Sequence, residues 1–127
     1  MNNKNHHGSC LCGAVKFQAN SAPLRVSHCH CIMCQKQHGA AYGSYATFNE
    51  SDIKISQGND KISSFNSTES VVRCFCSQCG STLSWQSTTD SPAQIGYALG
   101  IFDSAFKESV IKNIYVETKA CWLSTLS

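Results

Sequence analysis

A mainly β domain is the fold this sequence predicts, and three observations point to it. Apolar residues alternate with polar ones in short runs bounded by Ser, Thr, Asn and Gly. Only one segment carries a helical signature. Seven of the nine cysteines fall into three tight clusters, Cys10-Leu-Cys12, Cys29-His-Cys31-Ile-Met-Cys34 and Cys76-Ser-Gln-Cys79-Gly80. Such spacing is that of thiolate metal ligands, which staple small domains. In chain order, Ala14 to Ala19 places Val15, Phe17 and Ala19 on one face of a strand. Tyr42 to Phe48, Ile53 to Ile55 and Ile62 to Phe65 read as further strands. Val71 to Cys76, Ser81 to Gln86, Gln94 to Leu99 and Lys112 to Thr118 follow. Cys31 to His38, stopped by Gly39, is the helix, and Ser104 to Glu108 is expected to form a turn. The expectation is small antiparallel sheets around a four-cysteine zinc site, with at most one or two short helical turns.

Composition narrows the setting. A chain of 127 residues is expected to be one domain over 1–127, with residues 1–7 flexible. Net charge is +2 and the basic residues are scattered, so no nucleic-acid partner and no anionic membrane surface are expected. Met1 to Ser9 lacks an apolar core and does not read as a signal peptide. No stretch approaches the ~20 apolar residues that span a bilayer. A cytoplasmic location follows as the expectation. Thiols stay reduced there, and clustered cysteines serve as metal ligands rather than disulfides. An odd count of nine and adjacent C-x-C pairs also argue against a disulfide framework.

The clusters divide unevenly. Two pairs close one four-sulfur site, and a triad keeps a vacant fourth position, the usual distinction between structural and catalytic zinc. If Cys10 and Cys12 lie on a strand, residues i and i+2 share a face and converge on one ion. Cys76-x-x-Cys79-Gly80 reads as a knuckle, with Gly80 supplying a positive φ. If residues 28–31 are extended, Cys29 and Cys31 face one way and His28 and His30 the other. The two histidines then serve in packing or hydrogen bonding rather than as ligands. His38 stands at i+4 from Cys34, where it either closes the site, carries protons near it, or ends the helix in solvent. Cys74-Phe-Cys76-Ser-Gln-Cys79 repeats the C-x-C-x2-C pattern, so spacing alone leaves either triad as the three-ligand site. Cys121, beside Trp122, reads as an ordinary thiol.

Three segments carry a resemblance to a known family. They are Gly8-Ser-Cys-Leu-Cys-Gly-Ala-Val-Lys-Phe17, Cys29-His-Cys-Ile-Met-Cys-Gln-Lys-Gln-His-Gly-Ala-Ala41 and Arg73-Cys-Phe-Cys-Ser-Gln-Cys-Gly-Ser81. They resemble the signature segments of the glutathione-dependent formaldehyde-activating enzyme family, also called the centromere protein V family, which has the Mss4-like fold. Ile114-Tyr-Val-Glu-Thr-Lys-Ala-Cys-Trp122 is similar to its C-terminal strand. The resemblance implies that Cys10, Cys12, Cys76 and Cys79 hold a structural zinc. It implies that Cys29, Cys31 and Cys34 hold a second, catalytic zinc, and it leaves Cys74 as an extra thiol. Two departures stand out. Ala120-Cys121-Trp122 replaces the common Ala-Pro-Trp, and, read to Ser127, the chain is expected to lack the longer acidic and aromatic tail of many members.

The resemblance further implies a carbon–sulfur lyase-like activity, the joining of glutathione and formaldehyde to give S-(hydroxymethyl)glutathione. A thiol that coordinates zinc is deprotonated. Three thiolates on Zn²⁺ leave a formal charge of −1, which favours thiol binding over carbonyl activation. An anionic tripeptide needs cations, and Arg25, Lys36 and Arg73 flank the clusters. Two alternatives belong to other classes: a non-catalytic zinc-stabilised binding module, and a thiol- or metal-buffering protein.

Overall fold

The computed structural model describes residues 5–107 and 111–124, ordered as ten strands and one α-helix. The strands are β1 (His6–Ser9), β2 (Lys16–Ala19), β3 (Arg25–Cys29), β4 (Gly43–Asn49), β5 (Ile53–Gln57), β6 (Ile62–Thr68), β7 (Val71–Cys76), β8 (Thr82–Ser87), β9 (Gln94–Ala98) and β10 (Ile111–Ile114). The helix α1 spans Ile32–His38. Its N-cap is Cys31, whose sulfur accepts from the Cys34 amide at 3.3 Å. Gly39 ends it at φ 63 and returns its amide to the Gln35 carbonyl at 2.8 Å.

Two sheets form the body. One has the order β1-β2-β5, the other β10-β3-β4-β9-β8-β7-β6. The mainly β expectation holds, and antiparallel pairing dominates, with one exception. β10 runs parallel to β3, pairing Ile111 with Val26 and Ile114 with Cys29. Alternation explains the core. Val15, Phe17 and Ala19 turn inward from the small sheet. They meet Ile95 and Tyr97 of β9 in one cluster, and Val26, Ala46 and Phe48 in another. Phe17 stacks on Tyr97 with centroids 4.4 Å apart. The opposite face of the large sheet is left to α1 and the residues described below.

Several expectations need correction. His6 and His7, assigned to a flexible terminus, form the first half of β1, and His6 is buried against Phe102 and Phe106. β3 was unread as a strand before His28, because Val26 is its only strongly apolar residue. The strand expected over Lys112 to Thr118 stops at Ile114. Tyr115 takes φ 58 and a 3-10 turn follows at Val116–Thr118. Cys10 to Gly13 form a turn rather than a strand. Helical turns exceed the expected one or two, since 3-10 segments also occur at Glu50–Asp52, Asn59–Lys61 and Leu99–Ile101. Ser104 is a bend, residues 105–107 have no regular structure, and Glu108 lies outside the described residues. Among the described residues no helix is long and apolar enough to cross a membrane.

Candidate functional site

Two turns build the first cysteine group. After β1 the chain folds back at Gly13, with φ 80, and the Gly13 amide bonds the Cys10 carbonyl at 3.0 Å. After β7, Gly80 repeats that conformation, and its amide bonds the Cys76 carbonyl at 2.8 Å. The sulfurs of Cys10, Cys12, Cys76 and Cys79 lie within 4.8 Å of one another. Cys10 and Cys12 are 3.6 Å apart, Cys12 and Cys76 3.8 Å. A tetrahedral ion with 2.3 Å bonds to sulfur needs ligands about 3.8 Å apart, so the four suit a metal ion. The turn explains this fit. An extended Cys10-Leu-Cys12 would hold its two residues ~6.5–7 Å apart.

The surroundings favour thiolates at Cys10 and Cys79. The Val15 amide donates to the Cys10 sulfur at 3.3 Å, and the Gln78 side-chain amide donates to Cys12 at 3.4 Å. The Ser81 hydroxyl, 3.2 Å from the Cys79 sulfur, together with backbone amides, pulls that thiol down to about 5. Cys76 and Cys10 are fully buried, so this group sits at the edge of the main core.

The second group lies on the other face of the large sheet. β3 ends at Cys29, Cys31 caps α1, and Cys34 lies in the helix's first turn. Their three sulfurs again fall within 4.8 Å of one another. The interaction of Cys29 with Cys34 holds Cys29 below the ordinary thiol range and Cys34 above it, with burial adding to the rise at Cys34. Cys74 belongs to neither group, so the rival triad of residues 74, 76 and 79 is not assembled. Cys121 is exposed and isolated from both.

The histidines follow the alternation expected of them. His28 bonds the Ser44 hydroxyl at 2.7 Å and packs on Tyr42. His30, wholly buried, bonds Asn113 Oδ1 through Nε2 at 2.8 Å and also packs on Tyr42. His38 does not join the triad. Its Nε2 lies 2.6 Å from the Tyr45 hydroxyl, and its ring occupies space above Gly43 that a Cβ would fill, at 2.6 Å from Nε2. Burial, and secondarily the charge of Arg73, holds His38 below its ordinary value.

A cavity of about 370 Å³ opens over the triad. Cys29, Cys31 and Cys34 line it together with Tyr45, Trp85 and Met33. Of the three cations suggested by sequence, Arg25 and Arg73 line this cavity and Lys36 does not. Arg73 is 3% exposed, yet among the described residues it faces no carboxylate. Its guanidinium donates to the Cys34 sulfur at 3.6 and 3.7 Å, to Gln37 Oε1 at 3.4 Å and to the Ser67 hydroxyl at 3.1 Å. Burial opposes this charge, but the bond to Cys34 and the negative charge around it hold Arg73 above its ordinary value. Tyr45 and Trp85 were missed as site residues. In the sequence they are ordinary strand residues, and only sheet register brings them to the triad. A second cavity, of about 330 Å³, has His38 in its wall, so the His38–Tyr45 bond runs from one cavity to the other.

Residues 5–118 match the profile of a family described as glutathione-dependent formaldehyde-activating enzyme. A protein of Schizosaccharomyces pombe named as an uncharacterized lyase is 23% identical over 116 residues, covering 91% of this chain and 77% of that protein. A provisionally named glutathione-dependent formaldehyde-activating enzyme of Halomonas elongata is 32% identical over 82 residues, 60% of this chain and 52% of that protein. The crystal structure of a Rhodobacter sphaeroides protein is similar with a TM-score of 0.66 and 21% identity, covering 84% of this chain and 98% of that one. This last likeness is one of fold.

Proposed function

The chain belongs to the glutathione-dependent formaldehyde-activating enzyme family, and on that premise we propose that it is a zinc-dependent carbon–sulfur lyase-like enzyme joining glutathione to formaldehyde. Cys10, Cys12, Cys76 and Cys79 would hold a structural zinc, and Cys29, Cys31 and Cys34 a second one. The observation that carries the reading is the convergence of three sulfurs on the wall of a cavity, with no fourth protein ligand among the described residues. Zinc bound by three thiolates lowers the pKa of a thiol that enters the remaining position.

The chain's own residues do the rest. With zinc bound, Arg73 would offset the negative charge on the Cys34 thiolate inside a low-dielectric wall. Trp85, Met33 and Val71 give the cavity an apolar lining that limits water. In the forward reaction the glutathione sulfur forms a bond to the formaldehyde carbon, the carbonyl π pair moves to oxygen, and that oxygen takes a proton. Tyr45, bonded to His38 Nε2, is the hydroxyl placed to deliver it, and His38 can replace the proton from the second cavity.

The test is NMR exchange between free glutathione and S-(hydroxymethyl)glutathione, with wild type and Cys31→Ser at equal concentration. Faster exchange with wild type alone is expected. Equal exchange rates, with glutathione bound only by wild type, would reject catalysis and leave a thiol-binding module.

A further inference from the structure

The floor of the triad cavity carries an asymmetry of charge. One row of residues runs in register across five neighbouring strands: Arg25 pairs with Thr47, Thr47 with Gly96, Gly96 with Trp85, and Trp85 with Arg73. The two ends of the row are arginines in very different states. Arg73 is buried and spends its donors on Cys34, Gln37 and Ser67. Arg25 is exposed, and its recorded partner is the neutral Gln94 Oε1, at 2.9 Å. Among the described residues no acidic side chain lines the cavity. Gly96 keeps the middle of the floor low, since a Cβ there would stand 3.3 Å from the Thr47 hydroxyl and 3.5 Å from the Tyr45 Cβ.

Arg25 also has a fixed relation to the sulfurs. Arg25, Ser27 and Cys29 alternate along β3 and all line the cavity, so they share one face. Four residues of strand place Arg25 and Cys29 about 13 Å apart at Cα. Side chains stand roughly perpendicular to a sheet and lean along the strand, so their tips are separated by roughly 7–13 Å.

We propose that Arg25 is a carboxylate-recognising residue, and that the cavity selects thiols of peptide size in which a carboxylate lies well away from the sulfur. The sulfur sits at Cys29, Cys31 and Cys34, the connecting chain crosses the floor at Thr47 and Gly96, and the carboxylate meets the Arg25 guanidinium. A mercapto acid with only two carbons between its groups reaches the short end of that range and not its far end. This inference rests on the thiol-binding reading of the cavity.

Calorimetric titration of the metal-replete full chain tests it with four probes: glutathione, glutathione diethyl ester, 3-mercaptopropionate and 2-mercaptoethanol. Wild type is expected to bind glutathione about tenfold or more tightly than the diester, the gain of a charge-assisted hydrogen bond. It is expected to bind 3-mercaptopropionate no more tightly than 2-mercaptoethanol. Arg25→Gln should bring glutathione to the affinity of the diester, and Arg25→Lys should keep part of the preference. Diester binding by each variant reports an intact cavity. An undiminished glutathione preference in Arg25→Gln overturns the inference, and so does an equal gain for the short mercapto acid. In both cases the thiol reading of the cavity survives. Failure of wild type to bind any of the four overturns both.

Discussion

Removing the Cys34 sulfur should cost more stability than removing its neighbour at Cys31, although both belong to the same triad. Arg73 is the reason. It is buried, it has no carboxylate partner among the described residues, and two of its nitrogens point at the Cys34 sulfur. Removing an acceptor of a buried guanidinium costs roughly 1.5–3 kcal/mol, because its charged donors are left unsatisfied. Cys31 is half-buried and its sulfur serves the helix cap, a bond whose loss costs about 1 kcal/mol. Cys34→Ala should therefore unfold about 0.5–2 kcal/mol below Cys31→Ala, with loss of any metal at the triad common to both. The assay is urea unfolding of Cys34→Ala, Cys31→Ala, Arg73→Met and the Cys34→Ala/Arg73→Met double variant. The double variant should recover stability, with a coupling of roughly 1–3 kcal/mol in the cycle. Equal losses at Cys34 and Cys31, with additive behaviour in the cycle, would show that Arg73 is not held by the Cys34 sulfur.

Cys76→Ser should give an unfolded or insoluble chain, because a structural zinc supplies on the order of 10 kcal/mol, comparable to the whole net stability of such a domain. Cys31→Ser should stay folded and lose about one metal ion per chain, and the two variants are compared by circular dichroism melts and elemental analysis. Cys74→Ser and Cys121→Ser should change neither fold nor metal content, and a metal loss in Cys74→Ser would contradict the cluster assignment. Stability should fall as pH drops below about 6.5. Burial holds His28 and His38 under their ordinary value, so the unfolded chain takes up these protons first and the folded state loses ground. Denaturant midpoints at successive pH values, taken where parallel analysis shows unchanged metal content, check this, and a flat profile would count against it.

The two cysteine groups were legible because metal ligation needs few residue types at short, repeated spacing. The choice between Cys74 and Cys10/Cys12 as partners of Cys76 and Cys79 was not, since spacing is silent on which turn meets which. Most strands were legible from alternation. β3 was not, because its cavity face carries Arg25, Ser27 and Cys29, which read as polar. The cavity itself depends on non-local register: Tyr45 reaches the triad from β4, Trp85 from β8 and Arg73 from β7. Their identities in sequence carry no sign of that meeting. His38 was placed correctly on the helix, but its partner is Tyr45 rather than the sulfurs, a choice fixed by the room above Gly43.

X-ray absorption at the zinc edge, on purified protein before and after glutathione, tests the central claim most directly. The account predicts zinc at both cysteine groups, with about 3.5 sulfur neighbours per zinc on average at about 2.3 Å, midway between a four-sulfur and a three-sulfur set. The average should rise to about 4 when glutathione is added. A value of 4 before addition, or one that stays near 3.5 at saturating glutathione, would contradict a triad that receives the substrate sulfur.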